Sequence, residues 1–199
     1  MFKKIAKQPV ALVLLLSSTL GLIASTVLSY DALILARNKD AILSCDINAV
    51  ISCASVANHW SSAVFFGIPN SFFGMIAMPV IMTIAVAMLS GVKFPKWFMR
   101  SLHIGTVAGL VFAGWMFYMS LAVIGVLCPW CLTFDAVLII MFFCVTRYAI
   151  ESDVWPFNKK VDKKLKKFAK GNFDLLVMFS VIVLLFAIIL AKYGSELFA

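Results

Sequence analysis

Charge is scarce in this chain. Charged residues make up 13% of its 199 positions, against about a quarter in soluble globular domains. With 63% hydrophobic residues and a mean hydropathy of +1.04, too little polar surface remains for a water-soluble fold. Long polar segments are also missing, so there is no place for a second, soluble domain. The apolar runs lack the period-2 alternation of transmembrane strands, which excludes a barrel, and no internal repeat recurs. No small-x-small cleavage site follows the first apolar run, which is too long for a signal-peptide core. It reads as an uncleaved helix.

What is present is five apolar runs, at 10–36, 72–92, 102–127, 131–150 and 173–191, each near the 20 or so residues that cross a bilayer as a helix. The sequence therefore predicts an all-α integral membrane protein. The net charge of +8 is distributed unevenly. Lys3, Lys4 and Lys7 precede the first run, Lys93, Lys96 and Arg100 separate the second from the third, and Arg147 with seven lysines between Lys159 and Lys170 separates the fourth from the fifth. Only Arg37, Lys39 and Lys192 fall on the other side. The excess of basic residues in alternate loops orients the chain N-in and C-out, as a multi-pass protein of the cytoplasmic (inner) membrane. It makes a nucleic-acid patch superfluous as an explanation. The outer loop 37–71 is half apolar and is expected to cap the bundle. Within it, Ser55 to Phe66 suits a short interfacial helix with Trp60 at headgroup level, and Gly67-Ile68-Pro69-Asn70 breaks the chain before the second span. Residues 151–172 form a basic segment in which Val161, Leu165 and Phe168 recur at helical spacing. It reads either as an amphipathic helix on the anionic inner leaflet or as a solvated linker. Gly105 and Gly109 make a G-x-x-x-G, the pattern of close helix packing.

Four of the five cysteines share the outer face, where disulfides form and persist. Cys45 and Cys53 lie in the capping loop, and Cys128-Pro129-Trp130-Cys131 stands where the third run gives way to the fourth. Cys-x-x-Cys at a helix start places two thiols one turn apart, next to backbone N–H groups that favour a thiolate, and Pro129 suits a first helical turn. Three readings follow: a structural staple at Cys45 and Cys53, a zinc site of four thiolates, or a relay. In a relay one pair exchanges with a soluble thiol and the other delivers electrons within the bilayer. Cys144 lies about 20 Å further along its helix at about 1.5 Å per residue and is expected to be a core residue.

In these segments the chain resembles the bacterial branch of the vitamin K epoxide reductase family. The resemblance is carried by Cys45-Asp46-Ile47, Ile51-Ser52-Cys53, Phe66-Gly67-Ile68-Pro69-Asn70-Ser71-Phe72-Phe73-Gly74 and Cys128-Pro129-Trp130-Cys131, in that order, and it covers roughly residues 10 to 150. It implies a four-helix catalytic domain over 1–150 around a quinone (menaquinone, ubiquinone or a relative), with the basic linker at 151–172 and a fifth helix and outer tail at 173–199. Cys45 and Cys53 would be the loop shuttle pair, Cys53 would exchange with Cys128, and Cys131 would be the thiol nearest the quinone. Asn70 would hydrogen-bond a quinone carbonyl, the alternative for this residue being a helix N-cap. Trp60 and Phe73 would line the pocket, and no metal is implied.

The chain departs from the family pattern at three places. Asn58 stands where some members have a serine. Asp135 stands where the vertebrate enzyme has a tyrosine. An ionisable group inside a span points to function, so Asp135 is expected to face the quinone and help move its protons; the alternative is a hydrogen bond to a neighbouring helix. Many bacterial relatives carry a thioredoxin-like domain after the fifth helix, whereas only Lys192 to Ala199 follow here. The electron donor is therefore expected to be a separate thioredoxin-fold (DsbA-like) thiol protein. The activity implied is disulfide formation at the expense of a quinone. Its alternatives are quinone epoxide reduction of the vertebrate type, and a non-catalytic membrane protein whose cysteines staple its loops.

Overall fold

The computed structural model of the chain describes residues 9–156 and 158–197. Lys3, Lys4 and Lys7, used above for orientation, lie outside that range. The elements are α1 (Pro9–Arg37), a single-turn α2 (Cys53–Ala57), a 3-10 turn (Trp60–Ala63), α3 (Asn70–Leu89), α4 (Lys96–Tyr118) running into a π-helical turn (Met119–Ile124), α5 (Pro129–Glu151), α6 (Lys159–Lys170) and α7 (Phe173–Leu197). Five of these are long and apolar enough to cross a membrane, and they coincide with the five apolar runs of the sequence. Among the described residues the only β pairing is two isolated bridges.

α1 is the hub of the bundle, packing along α3 and α5, and α5 in turn packs on α4. Its buried stripe is made of small residues, including Ser17, Ser18, Gly21, Ala24 and Ser25, and small residues let membrane helices approach closely where no hydrophobic force draws them together. The approach leaves no room for a side chain at two glycines. A Cβ at Gly21 would stand 2.7 Å from Met78 Sδ, and one at Gly74 2.9 Å from Ser25 Cβ. Leu14, Met78, Val137 and Met141 fill the layer between these helices. α7 packs on α5 from outside this bundle. Ile189 and Tyr193 in its C-terminal part join Val50 and Leu127 in a small cluster, and the Tyr193 hydroxyl donates to the Leu121 carbonyl at 3.2 Å.

The G-x-x-x-G expectation is corrected here. A Cβ at Gly105 would meet nothing within 4 Å, and one at Gly109 only Leu138 Cδ2 at 3.6 Å. Both glycines line a cavity, with Gly109 also at ordinary contact distance from α5. The spacing is the same in either case, and only the neighbouring helix decides what the small residues are for.

Where one short helix was expected over Ser55 to Phe66, the chain forms two short turns. α2 ends at Ala57 with Asn58 as its C-cap. His59 then starts the 3-10 turn, its Nδ1 accepting from the Ser61 amide at 3.3 Å. The break at Gly67 is as expected, with φ +74° there and α3 beginning just after Pro69. The basic segment is helical as α6, and it packs on α5 and α7 instead of standing free as a linker.

Candidate functional site

Asp46 organises the loop that carries the first cysteine pair. Its carboxylate accepts from the Leu43 amide at 2.7 Å, the Ser52 hydroxyl at 2.7 Å and the Ala54 amide at 3.0 Å, so it grips the chain on both sides of the cysteines. Burial works against its charge, but these donors prevail and hold it below the usual aspartate range. The stability they supply is full above about pH 4, the unfolded value, and is lost as pH falls through the lower folded value. Asp46→Ala is expected to lower loop stability by about 2 kcal/mol, from the loss of hydrogen bonds to a charged group. Amide hydrogen exchange at Leu43 and Ala54 that stayed as slow as in the wild type would contradict this.

The loop is then stitched to the chain ahead of α5. Ser52 N donates to Leu127 O at 3.0 Å, and Leu127 N donates to Val50 O at 2.8 Å. This pairing of Ile51 with Leu127 carries the second cysteine pair to the first. Cys45 and Cys53 are joined in a disulfide, while Cys128 and Cys131 are free thiols. Cys128 Sγ lies 3.4 Å from Cys53 Sγ, about the contact distance of two non-bonded sulfurs. All three of Cys45, Cys53 and Cys128 are buried, in one apolar cluster with Leu35, Leu43 and Val56. Because Cys45 and Cys53 are bonded to one another, the arrangement is not the set of four thiolates that a zinc site would require.

Cys128 is the N-cap of α5, and its sulfur accepts from the Cys131 amide at 3.3 Å. The Cys131 thiol lowers the Cys128 thiol's proton affinity most. Burial opposes it, the amides of Cys131 and Trp130 add to the lowering, and the Asp31 carboxyl opposes; the net shift is downward. A thiol so placed at a helix N-terminus is a better nucleophile at neutral pH than an ordinary cysteine. Cys144 is also free but half-buried, deep in α5, and takes no part in this cluster.

Beneath the loop lies a cavity of about 930 Å³ between α1, α3, α4 and α5. Cys53, Cys128 and Cys131 open onto it, as do Asn58, Trp60, Asn70, Phe73 and Asp135. Every expected site residue except Cys45 therefore meets at one wall-to-wall space. The individual contacts differ from those expected. Asn70 is the first residue of α3 and does not cap it. Its amide nitrogen donates to Ser61 O at 2.7 Å, and its Oδ1 accepts from Val64 N at 3.3 Å. Asn70 is thus a latch between loop and bundle at the cavity's edge. Asn58 donates to Lys39 O at 3.1 Å, tying the two arms of the loop together. Trp60 is 65% exposed, with its ring 6.1 Å from that of Trp115. Phe73 meets Phe65 edge-on at 5.3 Å. Asp135 makes no hydrogen bond to another helix among the described residues and faces the cavity.

The lining suits a quinone. Large apolar cavities with a few polar groups are the usual form of such sites, and here Phe112, Phe134 and Ile81 supply apolar wall while Asn70, His59 and Asp135 supply polar atoms.

Two residues of the site were missed from sequence. His59 lines the cavity and carried no recognisable spacing. Asp31 is buried beside the disulfide. Its signal was available, because an aspartate inside an apolar run is the same kind of feature that singled out Asp135.

A family model described as "Vitamin K epoxide reductase family" matches residues 12–146, more than half of the chain. No curated protein matches it. The match starts within α1 and ends within α5, so it contains every cysteine and cavity residue described above.

Proposed function

Since the chain belongs to the vitamin K epoxide reductase family, a family of membrane thiol–disulfide and quinone oxidoreductases, we propose that it reoxidises a separate thioredoxin-fold thiol protein outside the cytoplasm. It would thereby support disulfide formation in exported proteins. The observation that carries this reading is the 3.4 Å approach of the Cys128 thiol to Cys53 of the loop disulfide, at the mouth of an apolar cavity. A staple would need no free thiol aimed at it.

The chain's own residues perform four tasks. The Cys45–Cys53 disulfide takes electrons from the partner's dithiol. Cys53 exchanges with Cys128 through a mixed disulfide. Cys131, one turn into α5, presents its sulfur to the cavity, with Asp135 a further turn along the same helix face. Asn70 and Trp60 border the cavity on the loop side. A quinone held there would accept two electrons and two protons. Residues 1–150 are the catalytic unit in this reading, with the cysteines outward and the basic 151–172 segment on the cytoplasmic leaflet. The placement of basic residues supports that orientation.

Docking of a partner is supported by the surface around Cys45. The cysteine itself is 6% exposed, but Ile42 and Ile47 on either side are 88% and 68% exposed. Apolar groups standing out of an outward loop suit a transient protein contact. The test is anaerobic quinol formation by the purified protein with a reduced thioredoxin-fold donor, using benzo- and naphthoquinones in turn. Quinol is expected only when both donor and enzyme are present. Turnover without a donor protein would remove the partner from the reading. Turnover on a quinone epoxide and not on a quinone would favour the vertebrate type of reaction. No turnover on any acceptor would return the cysteines to a structural role.

A further inference from the structure

The mechanism above leaves unused a buried carboxyl beside the loop disulfide. Asp31, on the outer part of α1, is 5% exposed, and its Oδ2 lies 3.8 Å from Cys45 Sγ. The carboxyl and both sulfurs of the loop disulfide fall within 4.8 Å of one another. Among the described residues the carboxyl's side-chain partner is that sulfur alone, and a disulfide sulfur carries no proton to share. Asp31 does not line the cavity, so it is placed for events at Cys45 and not for events at Cys131. The other ionisable groups that face it are Asp46 in the loop and Cys128 at the start of α5, and neither is a cation that would hold it as an ion-pair partner.

We propose that Asp31 is the proton carrier for Cys45 in the exchange between the loop disulfide and Cys128, an inference that rests on the relay reading. In one direction the Cys128 thiolate attacks Cys53, the Cys53–Cys128 bond forms and the Cys45–Cys53 bond breaks. Cys45 leaves with the electron pair and takes a proton from the Asp31 carboxyl. In the other direction the Cys45 thiol gives its proton to Asp31 and attacks Cys53. The Cys45–Cys53 bond forms and Cys128 leaves as a thiolate. One thiol is oxidised and one sulfur of the mixed disulfide is reduced, so the step balances with no outside oxidant. The chemistry explains the placement. Exchange rates depend on how readily the leaving sulfur departs, and an anion leaving into an apolar cluster beside a carboxylate departs badly, whereas a thiol protonated as it leaves does not.

The exchange can be followed without donor or quinone. In the full-length Cys131→Ser protein, the mixed disulfide cannot be resolved onto residue 131, so opening frees Cys45 alone. Alkylation of Cys45 at saturating iodoacetamide, read by mass mapping together with the Cys53–Cys128 link, gives the rate of opening. Adding Asp31→Asn is expected to slow it by about a hundredfold, within the range of general acid–base effects, and Asp31→Glu to restore most of the rate. If Asp31 acts only as a repelling charge, Asn would speed the opening. If its role is only packing, Asn and Glu would act alike. Either result overturns the proposal and leaves the relay standing. If Cys45 is never alkylated even with Asp31 in place, the exchange itself does not occur and the relay reading falls with it. Should the Asn protein fail to fold, the Asp31→Glu and Asp31→Gln pair makes the same comparison between a carboxyl and an amide of equal size.

Discussion

Cys131→Ser is expected to abolish donor-dependent quinol formation, bringing the rate down to that without enzyme, while leaving the Cys45–Cys53 disulfide able to form. The reason is positional. Both thiols of this helical turn open onto the cavity, but Cys128 faces Cys53 across 3.4 Å, which in the proposed relay leaves Cys131 as the thiol for the acceptor. Without Cys131 no Cys128–Cys131 disulfide can form to take the electron pair from the reduced loop cysteines, so the path to the acceptor is cut. In the same variant Cys45 can reclose the loop disulfide, so the Cys53–Cys128 cross-link between the loop and α5 peptides should be captured only when the freed Cys45 is alkylated. Cys144→Ser serves as the contrast: this cysteine lies deep in α5, away from the loop, and its loss should leave the rate near that of the wild type. A Cys131→Ser protein that formed quinol at the wild-type rate would remove Cys131 from the end of the path.

The second large effect is expected at Asp135. Its carboxyl shares the cavity with Cys131 and stands one turn further along α5, and it makes no hydrogen bond to a neighbouring helix among the described residues. A carboxyl kept at membrane depth without a structural bond is costly, and reduction in the cavity needs protons that the apolar walls do not supply. Asp135→Asn keeps the size and the polarity but cannot carry a proton. It is expected to slow quinol formation by about a hundredfold, the lower part of the range for general acid–base groups. Oxidation of the donor protein in a single turnover, measured by following its own thiols, should stay unchanged, because that step occurs at the loop disulfide. Equal slowing of both steps would mean that the substitution had disturbed the fold. Unchanged quinol formation would show that protons reach the cavity by another route.

How far each feature could be read from residues alone depends on the range of the physics behind it. The five spans were legible because burial in lipid is a property of each run by itself: 20 or so apolar residues must be helical wherever they lie. The Cys-x-x-Cys at the start of α5 was legible for the same reason, since its geometry is set within one helical turn. The capping role of the loop followed from its composition, and Gly67 and Pro69 marked its end through backbone constraints that act locally.

Features that needed a second element were not legible, or were read wrongly. Gly105 and Gly109 have the spacing of a packing motif, yet both line the cavity, and the facing helix stands away from Gly105. Asn70 was expected as a quinone ligand or as a cap; it does not cap α3, and the hold of its amide on Ser61 and Val64 of the loop could not be read from its own segment. Asp31 stood in plain view in the first apolar run, but its meaning depends on a sulfur contributed by a loop that folds back over it.

The sequence by itself thus determined that this chain is a helical membrane protein, which cysteines are candidates for its redox chemistry, and the face on which the basic residues would place them. Those properties come from hydrophobicity, charge and short-range spacing. Only the tertiary structure decided which cysteines are bonded and which are free, that Cys53 and Cys128 come within reach of one another, and that the polar residues converge on one cavity. Such proximities arise when the loop pairs with the segment ahead of α5 and when small residues draw α1 against α3 and α5. Packing between distant segments sets them, and no single stretch of the chain contains that information.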